Sequence, residues 1–190
     1  GFEITGTAAL CNFMTCGAAN PPRRVDGALM TGGFQGHNFI GAGCRNTALS
    51  GYSVVVGGQC NVANGSRSFV GGGCCNRMEK AKASVIVGGE NNTIRQNLVN
   101  QGTEYSFIGG GLSNCITDKC NSIVGGICNL IRGNLGENGF IGGGFGNQIT
   151  QRYVTIGGGR TNSGYGACST IAEVFQDISI YLKQKAFTQN

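Results

Sequence analysis

Apolar and polar positions along this chain recur in one fixed frame. Two residues before each Gly-Gly pair stand Ile40, Val55, Val70, Ile86, Ile108, Ile123, Ile141 and Ile156, β-branched in every case. Three residues after the second glycine comes an asparagine: Asn46, Asn61, Asn76, Asn92, Asn114, Asn129, Asn147 and Asn162. Two positions further on are Ala48, Ala63, Met78, Ile94, Ile116, Ile131, Ile149 and Gly164, mostly apolar. In the first of the eight Gly-Gly-x-x-Asn copies, Ala42 replaces the first glycine. The asparagines are spaced 15, 15, 16, 22, 15, 18 and 15 residues apart, a period near 15 with insertions of seven and three. Solenoid coils carrying loop insertions give such spacing.

Each unit therefore reads as a short strand, a Gly-Gly turn, an asparagine and a second short strand. Stiff β-branched side chains suit a pleated ladder, and glycine supplies the positive φ of a sharp corner. Stacked about 4.8 Å apart, the units predict an all-β fold, a parallel β-solenoid or β-roll of about eight 15-residue units. Ile and Val fill its interior. The repeated asparagine reads as structural, because it tolerates left-handed corners and stacked amides can hydrogen-bond from coil to coil.

A second pattern flanks the first. Three residues before the Gly-Gly pair are Phe39, Val54, Phe69, Val85, Phe107, Ser122, Phe140 and Thr155, and wherever Phe stands there, glycine follows two residues later. Both positions share the strand face opposite the Ile/Val row, so the strand is apolar on both sides. A Phe ring lying over a glycine gap conserves volume in that layer. The Phe/Val alternation fits a 15-residue coil. It equally fits a coil of about 30 residues in which Phe39, Phe69, Phe107 and Phe140 stack on one sheet facing a Val sheet. Either coil exposes an apolar face, which marks association. These four phenylalanines are the expected assembly face, and the expected partner is the chain itself, as homo-oligomer or polymer.

Residues 1–37 fit the repeat poorly and contain the turn-like Asn-Pro-Pro-Arg-Arg-Val-Asp-Gly, so an irregular cap or arm is expected there. The repeat region spans 38–166, and 167–190 change character as a capping or assembly segment. There Ile171, Val174, Phe175, Ile178 and Leu182 follow helical spacing, and Thr170 with Glu173 resembles a capping box. The alternation Ile178, Ile180, Leu182 fits a strand as well. Either element would close the open end of a solenoid.

Composition narrows the function classes. With 36 glycines and only 12% charged residues, the 190-residue chain is neither a self-repelling disordered segment nor, lacking a Gly-x-y period, collagen. No apolar run reaches the length of a membrane-spanning helix. The net charge of +5 is scattered, so no nucleic-acid partner is expected. Gly1 fits a mature product whose signal has been removed, or a fragment boundary.

The ten cysteines, an even number, point to an oxidising setting, extracellular or at a cell surface. The competing reading is a reduced set of small buried hydrophobes. Cys44 and Cys74 occupy one turn position, with Cys60, Cys75 and Cys128 one residue later. Cys11 and Cys16 share the spacing of Cys115 and Cys120, and Cys168 sits by the terminal segment. All ten are disulfide candidates, within or between chains.

No cofactor is expected. Zinc is not, with one histidine, His37, and no Cys-x-x-Cys. No catalytic site is expected either, since three Asp and six Glu never fall on equivalent rungs. "GGGFGN" at 142–147 approaches a calcium-binding repeat, but Asn147 stands where the aspartate would be.

"SVVVGGQCN", "SFVGGGCCN" and "SVIVGGENN" resemble the Ser-Val-x-Ile-Gly units of trimeric autotransporter adhesin heads. They resemble at least as much the Ser-x-Ile-Gly-Gly-Gly-x-x-Asn-x-Ile repeats of phage and giant-virus fibres, over roughly residues 38–164. The resemblance implies a left-handed parallel β-roll, often trimeric, used as spacer or adhesin. The cysteines depart from that pattern. In composition the chain is similar, more loosely, to the subunits of disulfide-hardened, amyloid-like archaeal sheaths. The expected function is a non-enzymatic, self-assembling subunit of an extracellular sheath, surface fibre or envelope layer. The alternative is a phage or bacterial fibre or adhesin module, on a virion surface for instance, that binds a receptor or glycan through the insertions at 95–104 and 132–138.

Overall fold

The structure, a computed structural model, describes residues 23–25, 28–30, 38–96, 104–132 and 137–172. Every 15-residue unit closes one full turn of a parallel β-solenoid. Phe39–Ile40 pairs in parallel with Val54–Val55, which pairs with Phe69–Val70, and this ladder continues to Thr170–Ile171 as a nine-stranded sheet, sheet A. Thr47–Ala48, Val62–Asn64 and Arg77–Glu79 begin the corresponding ladder of sheet B. Between the two sheets a line of single bridges runs Cys44, Gln59, Cys74, Glu90, Leu112, Ile127, Phe145, Arg160. The choice between 15 and 30 residues per coil is thereby settled. Phe39 stacks on Val54 and Val54 on Phe69, so Phe does not stack on Phe, and no Val sheet faces a Phe sheet. The reason is local: one unit already holds two strands and two corners, enough to return the chain to its starting edge.

Sheet B starts with an antiparallel hairpin, Arg23–Val25 against Ala28–Met30, whose second strand pairs with Thr47–Ala48 through Leu29 and Thr47. The expected irregular N-terminal segment thus contains regular strand. At the other end Thr170 lies in a strand paired with Thr155, not at a helix start, so stacking runs past residue 166. The helix or strand expected beyond it falls in 173–190, outside the described residues. Among the described residues there is no helix.

The core lies between the sheets. Sheet A points Ile40, Val55, Val70, Ile86, Ile108, Ile123, Ile141 and Ile156 inward, and sheet B answers with Ala48, Ala63, Met78, Ile94, Ile116, Ile131 and Ile149, all buried. Two buried aliphatic side chains per coil contribute about 3–6 kcal/mol, too little to order a whole turn alone, so each coil depends on its neighbours. Irregular coils are packed by local exchange. The 16-residue step from Asn76 to Asn92 turns Ala81 fully inward, against the bare backbone of Gly65. Gly164 leaves the space that the Val154 side chain fills.

The two glycines of each corner differ. Gly73 has φ +85°, and a Cβ there would collide with the Gly89 carbonyl of the next rung and lie 2.7 Å from Asn76 Nδ2. The first glycine faces open space, with nothing within 4 Å of a Cβ at Gly88, Gly125, Gly143 or Gly158. Ala42 is accepted at that first position for this reason.

Candidate assembly face and thiol edge

The eight asparagines form one continuous buried ladder. Asn76 Nδ2 donates to Gly72 O at 2.9 Å within its own turn and to Gly89 O at 2.8 Å on the next rung. Its Oδ1 accepts from the backbone N–H of Asn92 at 3.1 Å. The same set recurs at Asn61, Asn92, Asn114, Asn129 and Asn147, beginning with Asn46 and ending at Asn162, which keeps the bond within its own turn. Each amide therefore ties its corner shut and joins it to its neighbours.

Outside sheet A, the expected assembly residues sit on alternate rungs. The Phe39 ring comes within 3.3 Å of a Cβ position at Gly41, Phe69 within 3.4 Å at Gly71, Phe107 within 3.3 Å at Gly109 and Phe140 within 3.6 Å at Gly142. Each ring covers the glycine of its own strand. On the rungs between, Val56, Val87 and Val124 are more exposed, at 45%, 48% and 49%, than Phe69 at 36% or Phe140 at 39%. The valines belong to the face as much as the rings do. From Phe39 to Thr170 neither outward column holds a charged residue, whereas the outside of sheet B carries Arg77, Glu79, Arg95 and Arg132. The apolar surface continues round the Gly-Gly corner through exposed Leu112, Ile127 and Phe145, the last with the Arg160 guanidinium 5.3 Å from its ring centre.

The thiols divide between edges. Cys60, Cys75 and Cys128 stand at the left-handed residue of the Gly-Gly corner, at φ 57°, 57° and 56°, and Cys120 and Cys168 at the left-handed residue of the opposite corner, both at φ 57°. Cys60 and Cys75 are on adjacent rungs. Cys44 and Cys74 are not, because Gln59 stands between them. Two rungs span about 10 Å, beyond disulfide range, so shared position does not make that pair a bridge. Cys115 projects from sheet B, where burial raises its thiol pKa against the opposing pull of Arg95. The eight described cysteines carry free thiols, and Cys11 and Cys16 lie outside the described residues. Among the described residues no three His, Cys, Asp or Glu side chains gather as a metal site. Among the described residues no helix is long and apolar enough to cross a membrane.

The corner opposite Gly-Gly holds what the repeat did not announce. A second inward polar column runs through Asn38, Ser53, Ser68, Ser84, Ser106 and Asn121, all buried. Ser53 N and Oγ both donate to Asn38 Oδ1 at 3.1 Å, and Ser106 N donates to Ser84 Oγ at 3.1 Å. Serine before five of the nine sheet A strands was the only signal. Both insertions leave from this corner, and each re-enters at a glutamate bonded to a lysine one rung earlier: Glu104 to Lys82 at 3.4 Å, Glu137 to Lys119 at 3.0 Å. The hydrogen bond to Glu137 holds the Lys119 ammonium above its ordinary pKa. Exposed Tyr52, Tyr105 and Tyr153 mark the same edge, each at a left-handed corner residue. The likeness to β-roll repeats thus rests on stacked turns of about 15 residues. No protein-family model matches the chain, and no curated protein is significantly similar to it.

Proposed function

We propose that this protein is a non-enzymatic structural subunit that assembles with further copies of itself, through the outside of sheet A, into an extracellular layer, sheath or fibre. The observation that carries this reading is the contrast between the two outer faces: Val56, Val87, Val124, Phe69 and Phe140 exposed on one, four charged side chains on the other. Nine rungs at about 4.8 Å and two outward positions per strand make a strip of about 40 by 10 Å. That is about half the ~800 Å² per partner of a stable isolated interface, so a single pair of faces binds weakly. Durable association then needs many copies, or covalent links, which suits a polymer better than a discrete dimer. The test compares the wild-type chain with a Val87→Glu, Val124→Glu double variant by sedimentation and electron microscopy. The wild type is expected to form multi-copy assemblies and the variant to stay monomeric with an unchanged circular dichroism spectrum. A wild type that remains monomeric at high concentration, or assemblies indifferent to both charges, refutes the reading.

A second reading draws on the other edge. Both insertions and three exposed tyrosines share it, as loops on a rigid scaffold do in recognition modules. Under this reading a fibre or adhesin module binds a glycan or receptor there. Removing residues 97–103 would abolish glycan-array binding and leave assembly intact.

A further inference from the structure

One cluster of nucleophilic side chains stands apart from the apolar face. Cys60, Cys74 and Cys75 stand together at the Gly-Gly edge, with Cys74 Sγ and Cys75 Sγ 3.3 Å apart and Cys60 one rung before Cys75. Cys60 and Cys75 occupy the same left-handed corner residue on successive rungs. Their backbones are fixed in register: Cys60 N donates to Cys44 O at 2.8 Å, Cys75 N to Gln59 O at 2.9 Å, and Gln59 bridges to Cys74. Rungs in such a ladder lie about 4.8 Å apart, inside the Cα range of a disulfide, as two-rung separations are not. Five of the eight described cysteines stand at positive φ, in a chain with 36 glycines that would adopt it more readily. Arg45, Asn91, Ser113 and Thr161 hold the same left-handed residue on other rungs, so the corner itself fixes this conformation and brings Cys60 and Cys75 to equivalent places.

We propose that Cys60 and Cys75 form an inter-rung disulfide on oxidation by a small-molecule disulfide, closing one complete turn into a covalent ring, with Cys74 left as a thiol beside it. The Cys60 thiolate attacks one sulfur of the small disulfide, forming a mixed disulfide and releasing one small thiolate. The Cys75 thiolate then attacks the Cys60 sulfur, forming the Cys60–Cys75 bond and releasing the second small thiolate. The two protons lost by the protein thiols pass to the two released thiolates. Two protein thiols are oxidised, and one small disulfide is reduced to two thiols. The hydrogen bond with Cys74 raises the Cys75 thiol pKa, so closure accelerates as pH rises and the thiolate fraction grows. Rungs in register hold Cβ atoms at about the rung spacing, wider than the ~3.8 Å of a relaxed disulfide. The bond is therefore an exchangeable one, opened readily by excess thiol.

The site lies within one chain, so its test is independent of assembly. The intact protein is equilibrated with oxidised glutathione, alkylated, denatured and cut with trypsin. Cleavage after Arg45, Arg67 and Arg77 separates residues 46–67, containing Cys60, from 68–77, containing Cys74 and Cys75. The expected product is 46–67 joined to 68–77, in a yield unchanged over a hundredfold protein dilution. It should persist in Cys74→Ser and vanish in Cys75→Ser. Four results overturn the proposal: a bond inside 68–77 alone, glutathione on both cysteines without a joined pair, a joined pair that survives Cys75→Ser, or a yield that falls on dilution. Where a variant folds poorly, fragmentation of the wild-type linked peptide between Cys74 and Cys75 decides the pairing: the alkyl group is expected on Cys74, and its presence on Cys75 overturns the proposal.

Discussion

The two corners of the coil reverse the same chain between the same sheets, yet they do it with different chemistry. At the Gly-Gly corner one amide per rung makes bonds inside its own turn and to its neighbours, and the distance from the second glycine to the asparagine is identical in all eight copies. At the opposite corner the inward column changes from Asn and Ser to Gly139 and Val154, and the Ser68 hydroxyl and Asn121 Nδ2 are buried without a partner. The inserted lengths of seven and three residues, and the extra residue beside Ala81, all enter there. A side chain that must reach its own turn and the next rung together fixes the length of its corner. Where a side chain need reach only one neighbouring rung, length is free.

The sharpest way to break this contrast is Asn76→Ala. It removes the donors to Gly72 O and Gly89 O and the acceptor for the buried Asn92 N; Gly89 O keeps the Cys74 N–H, so Gly72 O and Asn92 N are the two groups left without a partner. At about 1–3 kcal/mol for each unsatisfied group, allowing for relaxation, the expected loss is about 4 kcal/mol in urea unfolding. A loss below 1 kcal/mol would make the ladder incidental. Asn76→Asp adds a sign. Its carboxylate would face those two carbonyls, so the folded state raises its pKa above the unfolded value of about 3.9. The variant is then most stable below that unfolded value and loses stability as pH rises through the raised pKa. A variant most stable at neutral pH would contradict this placement of the amide.

A smaller effect is expected where the corner is free. Doubling the seven-residue insertion at 97–103 with Gly and Ser should cost about 0.6 kcal/mol, the closure entropy of a longer loop. The same seven residues placed between Cys74 and Cys75 would carry Asn76 out of reach of Gly72 and should destabilise about as much as losing the amide. Equal tolerance at both corners, measured by the same urea titration, would remove the distinction.

Why one corner was legible in the sequence and the other was not follows from this difference. Asn46 through Asn162 repeat one residue type in one frame because no other side chain supplies two donors and an acceptor at that place. The Ile/Val row was legible because it is buried on all eight rungs from Ile40 to Ile156. The inner column of the second corner mixes Asn38, Ser53, Gly139 and Val154, since several small groups serve where only one neighbour must be reached. Its frame is also broken by the insertions. Coil length stayed open because alternation of Phe and Val looks the same along one sheet as across two. Only register separates them, and register is set by corner geometry that composition does not reveal. The thiol cluster was half visible: position placed Cys60 with Cys75, but the same rule also joined Cys44 with Cys74, which Gln59 separates.

The smallest expected effect is the most discriminating within a single coil. Ser68 and Asn76 lie in the same turn, both buried and both polar. The Ser68 backbone makes a turn bond and a ladder bond, donating to Gly65 O at 3.1 Å within its own turn and accepting from Val54 N at 2.8 Å across rungs, and neither needs the side chain. Its hydroxyl, by contrast, is desolvated without return. Ser68→Ala should therefore leave stability unchanged or raise it by up to about 1 kcal/mol, since a buried unsatisfied polar group is a net cost. The check is the urea midpoint at constant slope, run beside Asn76→Ala. A loss above 1 kcal/mol would mean that the hydroxyl is satisfied in solution, by a water bridging to a neighbouring rung. The second column would then be a continuous ladder like the first. Its tolerance of Gly139 and Val154 would need another cause than side chains that each reach only one neighbouring rung.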